Sequence, residues 1–193
     1  MTDMPEMTSS PRERLVLPFL APVYHRFAQP VGWLVLRVVV GGYLMVEGWP
    51  KITAPLAMGG FVESLGFYPG WLFSPLLAVV NFIGGAMIVL GLFTRPVALA
   101  NAVMLLVTWW FHVTHPYGEA FLTPEGIEFL KANLQYLTAE GQQQLLADGG
   151  HEFLALVQMK AETNSLFWAG AAALFAAYGG AHYSLDRLMR KEF

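Results

Sequence analysis

Four long apolar stretches constrain this chain more than any other feature of its sequence. They cover roughly residues 31–50, 71–93, 96–113 and 164–183. Each approaches or reaches the ~20 apolar residues that an α-helix needs to cross the hydrocarbon core of a bilayer. With 55% hydrophobic and 13% charged residues, the chain is too apolar for an ordinary soluble domain. The sequence therefore predicts an all-α membrane protein built as a bundle of four transmembrane helices.

The other residues predict a tail and one long insertion. Residues 1–30 are rich in proline and predict a cytoplasmic tail that is partly interfacial, and residues 31–193 form the membrane domain. Between the third and fourth spans, residues 114–163 are polar. Short amphipathic helices are predicted there, because apolar residues recur at helical spacing: Ile127, Leu130, Leu134 and Leu137. The first span is not a cleavable signal sequence, since it is too long and no A-x-A-like site follows it.

The distribution of basic residues predicts the orientation of the bundle. If the spans alternate in direction, three basic residues fall on one side: Lys51, Lys131 and Lys160. Seven fall on the other: Arg12, Arg14, Arg26, Arg95, Arg187, Arg190 and Lys191. An excess of basic residues marks the cytoplasmic side. Both termini are therefore predicted to be cytoplasmic, and the acidic segment 114–163 extracytoplasmic.

The chain contains no cysteine. This excludes thiolate-ligated iron–sulfur clusters and covalently attached haem on this chain. A redox role would therefore need a non-covalent cofactor or a partner subunit. The expected contacts are the lipid bilayer and either a protein partner or a second copy of the chain, and no nucleic-acid partner is expected.

Two charged residues lie in the first span, where charge is costly and is often functional. The run LRVVVGGYLMVEGWPK, residues 36–51, carries Arg37 near one end and Glu47 near the other. Ten residues of helix separate them by about 15 Å, so they cannot pair with each other. Arg37 is predicted either to snorkel to the interface or to form a structural ion pair with Asp186 near the cytoplasmic face.

Glu47 is the stronger functional candidate, because other polar residues are expected at the same outer level. His112 and His115 end the third span and share one helix face, and Glu162 and Asn164 begin the fourth. A carboxylate beside imidazoles is suited to proton transfer. The sequence therefore predicts Glu47, His112 and His115 as catalytic residues.

Two other interpretations of these residues stay open. Lys51, one turn after Glu47, could neutralise it while both histidines face solvent. Two histidines and a carboxylate could also bind a metal ion. Their spacing has none of the specificity of a motif such as H-E-x-x-H, so no metal site is predicted.

The aromatic residues near the outer interface also allow two interpretations. They are typical of an interfacial belt, which is the favoured one. Alternatively, they line a slot for a flat, lipid-soluble ring such as a quinone. This second interpretation gives the candidates for cofactor binding, which are Trp49, Asn81, Trp109, Glu162 and Asn164.

Three segments carry a resemblance to a known family: LRVVVGGYLMVEGWPKI (36–52), NFIGGAMIVLGLFTRPVAL (81–99) and GGAHYSLDRLM (179–189). Together they resemble the DoxX family of small four-helix bacterial membrane proteins. The family often has a carboxylate where this chain has Asn81.

The resemblance implies an inner-membrane protein associated with redox complexes, since relatives are subunits of quinol oxidase or thiosulfate:quinone oxidoreductase systems. It implies a subunit of a quinone-dependent oxidoreductase with quinone bound at the outer face, and leaves open whether this chain is catalytic. The alternative is a non-catalytic scaffold or lipid-binding bundle that recruits a partner through residues 114–163.

Overall fold

The computed structural model describes residues 17–115, 124–147 and 151–190, and every regular element in these ranges is a helix. The all-α prediction is confirmed for them. A 3-10 turn (Pro18–Leu20), α1 (Ala21–Val23) and a π-helical turn (Tyr24–Ala28) lead directly into α2. The remaining α-helices are α2 (Gln29–Thr53), α3 (Gly59–Ser64), α4 (Gly70–Leu90), α5 (Thr94–Thr114), α6 (Pro124–Ala132), α7 (Ala139–Ala147), α8 (His151–Tyr178) and α9 (Leu185–Leu188). A second 3-10 turn, Leu134–Tyr136, joins α6 to α7.

Some predicted features lie outside the described residues. They are the tail up to residue 16 with Arg12 and Arg14, Lys191, and residues 116–123 and 148–150 of the long insertion.

Within the described ranges, three helical runs are long and apolar enough to cross a membrane: Ala21–Thr53, Gly70–Leu90 and Thr94–Thr114. The first begins ten residues earlier than the apolar stretch predicts. Pro22 and Pro30 do not interrupt it, because Pro22 lies in the first turn of α1 and a π-helical turn precedes Pro30, a local adjustment that accommodates proline in membrane helices. The 28-residue helix α8 is not among the three, because its first half contains Glu152, Lys160 and Glu162.

A tight turn joins α4 to α5 and makes them antiparallel neighbours. Gly91 ends α4 with φ 68° and donates its N–H to the Ile88 carbonyl. This left-handed conformation is one that glycine adopts without steric cost. The next helix begins three residues later at Thr94, with Pro96 in its first turn.

The core joins the four long helices. α2 packs mainly on α4, and α5 packs mainly on α8. The buried cluster takes residues from all four of them: Val40, Leu44, Ile88, Ala98 and Phe175. At the crossing of α2 and α4 the backbones nearly touch, since a Cβ added to Gly41 would lie 2.6 Å from the carbonyl oxygen of Gly85. Small residues allow such close approach in lipid, where packing rather than hydrophobic exclusion holds helices together.

We call the end of the bundle that contains the α4–α5 turn the Arg37 end, and the opposite end the His112 end. At the His112 end, α3 lies between α2 and α4 in the chain and helps to start α4. The Gly70 N–H donates to the Glu63 carboxylate over 2.6 Å, a contact that the positive end of a helix favours. The Ser74 hydroxyl donates to the Pro55 carbonyl over 2.6 Å, which holds the connecting segment against α4.

Candidate functional site

A polar cluster at the His112 end joins α5 to α8. Gln158 is 7% exposed, and its side-chain amide donates both to the His112 carbonyl and, over 2.8 Å, to the Glu162 carboxylate. Glu162 also lies close enough to the His112 side chain for the two to interact electrostatically. We call His112, Gln158 and Glu162 the α5–α8 cluster.

Helical periodicity explains why α8 brings these residues to α5. Its buried positions are three, four or seven residues apart and form one stripe, which consists of Leu154, Gln158, Ser165, Ala169, Ala172 and Phe175. Gln158 and Glu162 are four residues apart and therefore lie on the same face. The antiparallel packing of α5 and α8 then places the C-terminal turn of α5 beside this polar part of the stripe.

His115 lies near the cluster but bonds to its own helix. Its Nδ1 lies 3.2 Å from the Phe111 carbonyl oxygen and 3.0 Å from the Thr114 hydroxyl, and its backbone N–H donates to the same Phe111 carbonyl over 2.9 Å. Its ring stacks on Phe111 with centroids 4.6 Å apart. Phe111 also contacts the His112 ring at 5.6 Å and the Phe61 ring at 5.0 Å. An aromatic group thus borders the α5–α8 cluster.

Glu47 lies elsewhere. Its side chain is exposed on α2, and its backbone carbonyl accepts a hydrogen bond of 2.9 Å from Lys51. The hydrogen bonds of the described residues do not connect Glu47 to His112 or His115. The sequence predicts that Glu47, His112 and His115 converge. The structure does not bring Glu47 to the histidines, because Glu47 is on α2, which packs mainly on α4, and the histidines are on α5.

The aromatic and amide candidates are also dispersed. Trp49 is 59% exposed, and its ring packs at 5.7 Å on Phe82 of α4. Trp109 is half-buried and Asn164 is exposed. Trp49 is therefore on the α2–α4 side of the bundle, whereas Trp109 lies one turn before His112 on α5 and Asn164 lies two residues after Glu162 on α8.

Asn81 is buried deep in the bundle. It is 4% exposed, and its side-chain amide donates to the Met104 sulfur over 3.7 Å. Met104 precedes His112 by eight residues, or about 12 Å of helix. Asn81 therefore belongs to the interior between α4 and α5, about two turns away from the α5–α8 cluster.

Arg37 and Asp186 meet at the opposite end. Arg37 is 1% exposed and donates to the carbonyls of Val89, Gly180 and Tyr183. Asp186 is 6% exposed and accepts from the Phe93 and Thr94 N–H groups and the Thr94 hydroxyl at 2.7–2.9 Å. The two charges interact electrostatically, but their hydrogen bonds go to these other groups and not to each other.

Sequence reasoning did not single out Gln158, Asn101 or Glu63. The sequence did contain a signal for Asn101, because polar residues recur every seven positions on α5, at Thr94, Asn101 and Thr108. That spacing places them on one helix face. Gln158 had no such signal, because only the packing of α8 on α5 reveals its partner. In the described part of the chain, no group of three or more His, Cys, Asp or Glu residues could hold a metal ion.

Comparison with known proteins decides the family. The chain is 30% identical over 165 residues to the inner membrane protein YqjF of Escherichia coli (strain K12), and the alignment covers 86% of this chain and 97% of that relative. The DoxX family model matches residues 32–114. The chain belongs to the DoxX family. No solved structure matches it.

The family match places the candidate site in context. It runs from near the start of α2 to the end of α5, so it includes His112 but neither Gln158 nor Glu162. This DoxX protein is a multi-pass inner-membrane protein, as the similarity to YqjF and the apolar helices together indicate. The α5–α8 cluster thus combines one residue from the matched segment with two from beyond it.

Proposed function

We propose that this DoxX protein is an integral membrane subunit that binds a quinone headgroup at the His112 end, as part of a quinone-linked redox complex. The single observation that carries the proposal is the α5–α8 cluster, where an imidazole, an amide and a carboxylate meet beside aromatic rings. Polar groups of this kind, converging next to apolar walls, are typical of sites for small ligands.

The chemistry of the cluster suits both redox states of a quinone. A quinone oxygen accepts hydrogen bonds, and an imidazole N–H can donate one. A quinol hydroxyl donates, and the buried Gln158 Oε1 has no hydrogen-bond partner within the described residues. Reduction of a quinone takes up two electrons and two protons. His112 and Glu162 would pass the protons, while the electrons would come from a redox-active partner subunit.

The proposal includes an arrangement in the membrane. α8 would be the fourth span. Its apolar residues 165–178 rise about 21 Å, and the one or two turns before them would complete the crossing. Its 28 residues extend about 42 Å, which exceeds the ~30 Å of a hydrocarbon core. The polar first half would therefore project from the bilayer on the outer side, with the Arg37 end and both termini in the cytoplasm. This would put the α5–α8 cluster at the outer interface, where a quinone headgroup can enter from lipid.

The test is quinone retention after purification in mild detergent. Extracted quinone per protein should fall in Gln158→Leu and Glu162→Gln, because both remove a polar partner from the cluster. Glu47→Gln is the matched control, since it alters an exposed carboxylate and should leave retention unchanged. Equal retention in all four proteins, or none in the unmodified protein reconstituted with added quinone, would exclude quinone binding at this cluster.

A second candidate function is a scaffold that recruits a protein partner through residues 114–163. The observation that favours it is an exposed aromatic pair on the outer helices. Phe129 is 58% exposed and Tyr136 is 68% exposed, and their rings stack with centroids 6.3 Å apart. Rigid aromatic side chains often anchor protein interfaces. A photocrosslinking residue at Tyr136 should then capture one defined protein in cells, whereas the same residue at the exposed Glu140 should not.

A further inference from the structure

The helical run that contains α2 is longer than a bilayer is thick. It covers 33 residues, Ala21–Thr53, and extends about 50 Å, whereas a hydrocarbon core measures about 30 Å. The Trp33 indole donates to the Gly179 carbonyl over 3.0 Å, directly after the last residue of α8, so the bundle ends near Trp33. Residues 17–29, which we call the N-terminal extension, therefore continue beyond the Arg37 end.

The N-terminal extension packs little on the rest of the protein. Of its side chains that the structure describes, none is buried, and the first buried residue of the run is Pro30. Three large apolar side chains are exposed: Phe19 by 72%, Phe27 by 64% and Val23 by 51%. Water is an unfavourable surrounding for such groups. The extension therefore presents an apolar surface that the described part of the protein does not cover.

The apolar and polar side chains of the extension lie on different faces. The three apolar residues are four positions apart and therefore share one face, which Leu20 and Tyr24 widen by one position each. His25 and Gln29 lie on the opposite face, where His25 Nδ1 is 3.3 Å from Gln29 Oε1. Arg26 lies at the border between the two faces. This separation makes the extension amphipathic.

The charges at this end favour an anionic lipid surface over a second copy of the chain. Besides Arg26, the described residues at the Arg37 end include three exposed or half-buried cations, Arg95, Arg187 and Arg190. The acidic residue described there, Asp186, is buried and bonded to the start of α5. Cations attract the phosphates of anionic lipids, whereas a second copy would bring the same cations together, and like charges repel across an interface.

We propose that the N-terminal extension lies on the surface of an anionic bilayer, with Phe19, Val23 and Phe27 among the acyl chains and Arg26 at the lipid phosphates. Amphipathic helices with aromatic residues on one face and basic residues beside it bind in this way. The apolar stem of an arginine can lie along the acyl chains while its guanidinium binds phosphate oxygens. The proposal does not depend on quinone binding.

The junction between the extension and α2 is suited to a bend towards the bilayer. The Gln29 N–H donates to the Tyr24 carbonyl, five residues earlier. Pro30 has no N–H, so the Arg26 carbonyl loses its α-helical donor. Helices kink at π-helical turns and at prolines. Without a bend, Phe19 would stand about 20 Å beyond Trp33, where acyl chains do not reach it.

The test compares how deeply two neighbouring positions enter the bilayer. Val23→Cys and His25→Cys are made separately in the full-length chain, which has no other cysteine, and each carries a small fluorophore. The proteins are reconstituted at low density in phosphatidylglycerol vesicles with brominated acyl chains, which quench fluorescence on contact. Quenching should be several-fold stronger for Val23→Cys, and Phe19→Cys should repeat that result. Equal quenching of Val23→Cys and His25→Cys would overturn the proposal.

The lipid class is tested with the same label at Val23→Cys. Quenching should fall several-fold when brominated phosphatidylcholine replaces phosphatidylglycerol, and Arg26→Gln should lower it in phosphatidylglycerol. Arg187→Gln is the matched control and should change it far less, because this exposed cation is on α9. Equal quenching in the two lipids would overturn the assignment to an anionic surface. Shielding of the label from water that appears only at high protein density would assign the face to a second copy instead.

Discussion

Arg37 and Asp186 lie in the same buried cluster, yet each makes its hydrogen bonds to other groups. Arg37 donates to carbonyls at the ends of α4 and α8, and Asp186 accepts from the first N–H groups of α5. Helix C-termini carry partial negative charge and N-termini partial positive charge. Arg37 and Asp186 therefore bind the backbone at three helix ends, which are the C-termini of α4 and α8 and the N-terminus of α5. The Asp186 N–H also donates a hydrogen bond of 2.9 Å to the Gly91 carbonyl.

Replacing Arg37 should destabilise the bundle strongly. Arg37→Ala leaves three carbonyls without their donor, and an unsatisfied buried polar group costs about 1–3 kcal/mol. We expect the free energy of unfolding, measured by titration with SDS in mixed micelles, to fall by at least about 2 kcal/mol. Arg187→Ala is the control, because Arg187 is exposed. Equal stability of the two variants would contradict the role assigned to Arg37.

Exchanging the two charges should not restore stability. In Arg37→Glu with Asp186→Arg, a carboxylate would face carbonyl oxygens and a guanidinium would face N–H groups, so both sets of hydrogen bonds would be lost. The double variant should be at least as unstable as either single variant in the same SDS titration. A double variant more stable than both single variants would mean that attraction between the side chains dominates the cluster.

The contact between α2 and α4 should depend on one of two adjacent glycines. A Cβ on Gly41 would lie 2.6 Å from the Gly85 carbonyl oxygen, whereas a Cβ on Gly42 would meet nothing within 4 Å. Gly41→Ala must push the helices apart and should lower the free energy of unfolding by about 1–3 kcal/mol, as overpacking does. Gly42→Ala should cause no loss in the same titration. Equal stability of the two variants would contradict a close crossing of α2 and α4 at Gly41.

His112 and Glu162 should act as one unit in quinone binding, if this DoxX protein binds quinone as proposed. Because the two groups interact, Glu162→Gln and His112→Gln should change the dissociation constant non-additively. Glu47→Gln and His112→Gln should combine additively, because Glu47 is exposed on another helix. Isothermal titration with a short-chain quinone in nanodiscs measures both cycles. Additivity in the first cycle would argue against a shared site.

The orientation can be tested by cysteine labelling, which is clean because the chain has no cysteine. Gln143→Cys on α7 should react with an impermeant maleimide in intact spheroplasts. Arg187→Cys should react only in inverted vesicles, because the excess of basic residues marks the cytoplasmic side. Both positions are exposed. The opposite pattern would reverse the predicted topology.

Hydrophobicity alone located the long helices. The apolar stretches at 71–93 and 96–113 correspond closely to Gly70–Leu90 and Thr94–Thr114, because a spanning helix must be apolar along its whole length. The stretch at 164–183 marks only the second half of α8, since the helix begins at His151. Its polar first half is held by contacts with α5 and α7, which composition cannot report.

Side-chain partners required the tertiary structure. The sequence placed Glu47 and His112 at one level of the membrane, since position along a helix follows from the rise per residue. It could not fix which helices are neighbours, and α5 packs on α8 while α2 packs on α4. Because of this helix pairing, Gln158 and Glu162 lie beside His112, whereas Glu47 is exposed. Likewise, the sequence identified Arg37 and Asp186 as residues of one end, but only the positions of the helix ends decided that each bonds to the backbone.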